Sequence, residues 1–87
     1  MITQHEILEA INDYLINNIP NIRSNILSHS VKGGRDMIKI ITDSTYIWII
    51  STGDNIEIWI SIRIVHTIPI SHPDLLQNII VFIHPYN

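Results

Sequence analysis

The sequence predicts a two-layer α+β domain, with an N-terminal and a C-terminal helix packed on one face of a three-stranded antiparallel meander (α-β-β-β-α). Three observations favour this fold class. Isoleucine occupies every second position from Ile56 to Ile64, which is the period of a strand with one apolar face. Apolar residues before Pro20 recur at helical spacing, and two short turn sequences divide the middle of the chain into strands. Because 87 residues can form one core, we expect a single domain over residues 1–87.

The first helix is expected to begin after Thr3. Thr3 and Glu6 have the spacing of a capping box, which satisfies exposed N–H groups at a helix start. Pro20 ends the helix or begins a new turn, so the segment from Pro20 to Ser28 is expected to be a short second helix or an irregular turn. A glycine-containing loop follows over residues 28–35. The apolar stripe of the first helix comprises Ile7, Leu8, Ile11, Leu15 and Ile19.

Three strands are expected next. They are Met37–Thr42, Thr45–Thr52 and the isoleucine-rich strand from Ile56 to Ile64. The connections Asp43-Ser44 and Gly53-Asp54 are two-residue turns, and such turns fix the pairing register of the strands they join.

This register gives the meander two different faces. One face is aliphatic and is expected to lie under the helices. The other has Trp48 directly opposite Trp59, with Lys39 beside Trp48, and we call it the Trp-bearing face. Its residues are Met37, Lys39, Ile41, Tyr46, Trp48, Ile50, Glu57, Trp59, Ser61 and Arg63.

The last element is expected to be a helix. Ser71 and Asp74 are predicted to cap it, and Pro73 lies in its first turn. The β-branched run from Ile79 to Val81 leaves a fourth strand as the alternative. The buried face of the helix would comprise Leu75, Leu76, Ile79, Ile80 and Ile83.

A two-layer domain leaves the Trp-bearing face uncovered, as an apolar patch of roughly several hundred Å². We therefore expect a protein partner, most simply a second copy in a homodimer, because tryptophan and tyrosine anchor interfaces. The alternative is that the C-terminal segment folds over this face and the two tryptophans belong to the core. The predicted interface residues are Tyr46, Lys39, Trp48, Ile50, Trp59 and Arg63.

Single-stranded nucleic-acid binding is the alternative function. The indoles would stack on bases, while Lys39 and Arg63 contact phosphate. The order of elements also resembles that of the double-stranded RNA-binding domain family, although the resemblance covers element order alone. That family binds RNA through a basic cluster at the start of its last helix, whereas Ser71-His72-Pro73-Asp74 contains no Lys or Arg. A formal charge of −3 also argues against a nucleic-acid partner.

Catalysis and metal binding have weak support. The five histidines form no HxH, HxxxH or HExxH motif, although His66 and His72 could approach each other and use Asp74 as a third ligand. Lys32-Gly33-Gly34-Arg35 could cradle a phosphate but lacks the Walker spacing. Solvated loops explain both features more simply, so we expect no enzymatic activity, no cofactor and no metal.

Composition bears on where the protein works. There is no cysteine, and apolar runs such as Ile79–Ile83 are much shorter than the roughly 18 residues that span a bilayer. The N-terminal residues are acidic, unlike those of a signal peptide. We expect a soluble intracellular protein with no membrane partner. Its isoleucine- and asparagine-rich usage resembles that of small proteins of large DNA viruses and archaeal viruses, so a viral accessory role is one hypothesis.

Overall fold

The computed structural model describes residues 4–27 and 37–86. Within these ranges, five strands form one antiparallel sheet in sequential order. The α+β class is confirmed, whereas the predicted count of three strands is wrong. The elements are α1 (Gln4–Asn18), β1 (Arg23–Leu27), β2 (Met37–Ile41), β3 (Tyr46–Ser51), β4 (Asn55–Ile60), β5 (Arg63–Pro69), α2 (Leu75–Ile83) and a 3₁₀ turn (His84–Tyr86).

Helix α1 packs its apolar stripe against the sheet. Leu8, Ile11 and Leu15 are at most 1% exposed, as expected for one face of an amphipathic helix. The chain leaves the helix through Asn21, whose φ of 62° lies in the left-handed region that asparagine tolerates. The predicted cap at Thr3 lies outside the described residues.

The segment after Pro20 corrects a prediction. It forms the edge strand β1 (Arg23–Leu27), which pairs with β2, rather than a short helix or an irregular turn. Ser24 lies opposite Ile40 in this pairing and donates a hydrogen bond to Oδ1 of Asn12 on α1. Pairing with β2 satisfies the backbone groups of β1 that face it, so five residues without strand alternation nevertheless form a strand.

The isoleucine-rich segment corrects a second prediction, because it is a hairpin and not one strand. The chain reverses after Ile60 at Ser61, whose φ is 60°, and Ile62 at the tip is 88% exposed. The returning strand β5 pairs with β4, with Ile64 opposite Trp59. The register shifts next to this pair, which leaves Val65 as the extra residue of a bulge.

The C-terminal segment is a helix, as predicted, and the alternative of a fourth strand there is wrong. Asp74 occupies the N-cap position of α2, but its side chain makes no capping hydrogen bond, so the predicted cap is wrong in its chemistry. Instead, the backbone N–H of Asp74 donates to Nδ1 of His72 at 3.0 Å. The imidazole therefore organises the turn that precedes the helix.

Both helices pack on the same face of the sheet, as predicted. The core contains residues from α1, α2 and the four strands β2 to β5, and burying this much aliphatic surface is the main favourable term in folding. We call this side of the sheet the helix-covered face. The buried core between this face and the helices comprises Leu8, Ile11, Leu15, Ile19, Ile38, Ile40, Ile47, Ile49, Ile56, Ile58, Ile68, Ile79 and Ile83.

Candidate functional site

The candidate site is the Trp-bearing face, which neither described helix covers. Along β2, β3 and β4, buried residues of the helix-covered face alternate with partly exposed residues of the Trp-bearing face. The C-terminal helix lies on the opposite side, since Ile79 and Ile83 belong to the core. The alternative in which the C-terminal segment covers the two tryptophans is therefore wrong.

A row of side chains crosses the middle of this face at right angles to the strands. Lys39 on β2 is the register partner of Trp48 on β3, and Trp48 is the register partner of Trp59 on β4. Both pairings agree with the sequence prediction. Ile64 on β5 extends the row beyond Trp59 and is 47% exposed.

The two tryptophans line an open apolar cleft of about 370 Å³. The exposed Ile62 lies at the rim of the cleft. The β4–β5 hairpin therefore adds Ile62 to the Trp-bearing face, whereas a single straight strand would have placed it on the aliphatic face. Recognising the turn at Ser61 would have placed Ile62 and Ile64 correctly, but the turn has no glycine or asparagine to signal it. The cleft is lined by Met37, Trp48, Ile50, Trp59, Ser61 and Ile62.

Lys39 lies over two aromatic rings of β3. Its Nζ is 4.5 Å from the ring centroid of Tyr46 and 5.3 Å from that of Trp48. A cation at this distance is attracted by the negative face of the ring. These contacts hold the ammonium group against the face rather than out in solvent.

The carboxylate of Glu57 lies on β4, on the opposite side of β3 from the strand that carries Lys39. Nε1 of Trp59 donates a hydrogen bond to Oε1 of Glu57 at 3.2 Å, and the bond is partly buried. The indole N–H is thus satisfied within the subunit, and the carboxylate is turned toward the central row. The face therefore carries a cation anchored on β2 and an anion anchored on β4, on the two sides of β3.

The register separates Arg63 from the other predicted interface residues. Arg63 lies opposite Ile60, which packs against the core, so it belongs to the helix-covered side of the sheet and is exposed there. In one straight strand Arg63 would have shared a face with Trp59, and the hairpin reverses this relation. The other five predicted residues do lie on the Trp-bearing face: Tyr46, Lys39, Trp48, Ile50 and Trp59.

The histidines considered for chemistry have structural contacts. The ring of His66 stacks on Phe82, with centroids 4.9 Å apart and planes 7° from parallel, and His72 accepts the hydrogen bond from Asp74. In the part of the chain that the structure describes, no three His, Asp or Glu side chains are grouped to hold a metal ion. The glycine loop with Lys32 and Arg35 lies outside the described residues.

No protein-family model, curated protein or solved structure matches this chain. None of the described helices has the length and apolar character needed to cross a bilayer. Function must therefore be inferred from the chemistry of the Trp-bearing face.

Proposed function

We propose that this protein is a self-associating interaction module, in which the Trp-bearing face binds the same face of a second copy. The observation that supports the proposal is the paired Trp48 and Trp59 at the centre of an apolar sheet face that neither described helix covers. Tryptophan and tyrosine contribute most strongly to binding when they lie at the centre of an interface. A second copy is the simplest partner because a two-fold dimer covers this patch on both subunits.

The size of the face predicts a weak dimer. Five strands spaced about 4.8 Å apart, each about six residues long, give a projected area of roughly 24 Å by 20 Å per copy. The accessible area exceeds this projection because side chains corrugate the face, yet it stays near or below the roughly 800 Å² per partner of a standard interface. We expect a dissociation constant of about 1–100 µM.

Nucleic-acid binding is less well supported. Of the two cations predicted to contact phosphate, only Lys39 shares a face with the tryptophans, while Arg63 lies on the other side of the sheet. The carboxylate of Glu57 next to Trp59 would also repel a phosphate backbone.

The test is the molar mass in solution, measured by light scattering between roughly 10 µM and 1 mM, a range that extends above the expected dissociation constant. The wild type should approach the dimer mass with increasing concentration, and the variant Trp48→Thr/Trp59→Thr should remain monomeric. Threonine suits a strand, so circular dichroism should show an unchanged fold. Ile16→Thr, which removes a 50% exposed isoleucine from α1, is the control and should still dimerise.

A wild type that stays monomeric at 1 mM would refute self-association. In that case, quenching of tryptophan fluorescence by short single-stranded oligonucleotides at low salt would assign the face to nucleic acid instead.

A further inference from the structure

We propose that the two copies are related by a two-fold axis that runs along β3, so that Lys39 of each copy lies against Trp59 and Glu57 of the partner subunit. This inference rests on the self-association proposed above and specifies its geometry. It follows from the distribution of charge on the Trp-bearing face.

The strand order places β3 in the middle of the sheet, between β2 and β4. Two sheets that pack face to face lie about 10 Å apart, and the two simplest orientations of a two-fold axis between them are along the strands and across them. An axis along β3 places β2 of one copy over β4 of the other. An axis across the strands at the central row places β2 over β2.

The two arrangements differ in electrostatics. Because Lys39, Trp48 and Trp59 form one row, an axis across the strands would bring Lys39 directly against the partner's Lys39. The axis along β3 reverses the row. Lys39 then faces the partner's Trp59, and Trp48 faces the partner's Trp48. Attraction between Lys39 and the partner's Glu57 favours the axis along β3. Repulsion between the two Lys39 side chains disfavours the axis across the strands.

The side-chain contacts within one subunit suit this arrangement. Glu57 already points toward the central row, since its Oε1 lies 3.2 Å from Nε1 of Trp59. The ammonium of Lys39, which lies 4.5 Å from the Tyr46 ring centroid within one subunit, would swing from that ring toward the central row to meet the partner's carboxylate and indole ring. Pairing of this kind is needed because an unpaired charge buried between two sheets is strongly unfavourable. Arg23, the other described cation in register with this face, is already paired with Asp43 at 3.1 Å.

The test is a charge exchange between two variants. Lys39→Glu alone and Glu57→Lys alone each place like charges together at both symmetric contacts, so each should raise the dissociation constant of its own dimer at least about tenfold. An equimolar mixture of the two should form a heterodimer of nearly wild-type affinity, because both contacts are then opposite in charge. Native mass spectrometry with one variant ¹⁵N-labelled separates heterodimer from homodimers.

The double variant Lys39→Glu/Glu57→Lys in one chain provides a second measurement, since it restores both contacts and should dimerise like the wild type. Failure of both the mixture and the double variant to recover affinity, with a wild type that dimerises through its tryptophans, would overturn the axis and leave the proposed function standing. Unchanged affinity of the single variants would also overturn it. A monomeric wild type, or a dimer unaffected by Trp48→Thr/Trp59→Thr, would refute both proposals.

Discussion

Removing the hydroxyl groups of two buried serines should change the free energy of unfolding in opposite directions. Ser51 on β3 is 1% exposed, and its Oγ has no hydrogen-bond partner among the described residues. Ser24 on β1 is also buried, at 8%, but its hydroxyl donates to Asn12. The two positions share residue type and strand structure, and they differ in whether the hydroxyl has a hydrogen-bond partner.

The expected size follows from the cost of burying an unpaired polar group. Leaving such a group unsatisfied costs about 1–3 kcal/mol, so removing the hydroxyl should recover this free energy. The lost packing contacts of the oxygen atom offset part of the recovered free energy. We therefore expect Ser51→Ala to raise the free energy of unfolding by about 1 kcal/mol, which raises Tm by about 4–8 °C in a domain of this size. Ser24→Ala should lower the free energy of unfolding by about 1 kcal/mol through loss of its hydrogen bond.

Urea denaturation followed by tryptophan fluorescence measures both changes, because Trp48 and Trp59 lie on the sheet and neither substitution touches them. The protein concentration should stay below about 1 µM, so that dimerisation does not contribute to stability. Destabilisation by Ser51→Ala equal to that by Ser24→Ala would refute the reasoning, since it would mean that the Ser51 hydroxyl is satisfied in solution.

Two further predictions concern the faces of the sheet. Arg63→Ala should leave the dimer dissociation constant within about twofold of wild type, measured by sedimentation equilibrium, because Arg63 lies on the helix-covered side; a tenfold change would place it in the interface. Ile49→Ala should lower the free energy of unfolding by about 2–5 kcal/mol because Ile49 is fully buried, while Ile62→Ala, at an 88% exposed position, should change it by less than about 0.5 kcal/mol. Equal effects of the two isoleucine substitutions in urea denaturation would contradict the assigned burial.

The central strands could be predicted because their information is local. The turns Asp43-Ser44 and Gly53-Asp54 fix the register of β2, β3 and β4, and a two-residue period then assigns each side chain to a face. The pairing of Trp48 with Trp59 follows from these turns alone. The apolar spacing of α1 and α2 was similarly sufficient to place both helices on the aliphatic side.

The two outer strands could not be predicted because their information is not local. The backbone partners of β1 lie on β2, beyond a connection of nine residues, and its own five residues do not alternate like a strand. In the β4–β5 hairpin, isoleucine continues at every second position through the turn, so the sequence imitates an uninterrupted strand. The chain reverses at the left-handed backbone of Ser61, and serine, unlike glycine or asparagine, does not signal such a conformation in a sequence.

The bulge and the proline of β5 bear on how large an assembly can become. An intact outer strand offers a row of free amide and carbonyl groups to which another chain can add, and such addition can repeat without limit. Val65 interrupts that row near its start, and Pro69 has no amide hydrogen to donate at its end. Lateral growth into filaments is thereby obstructed at this margin, and the proposed dimer through the Trp-bearing face would be a closed pair.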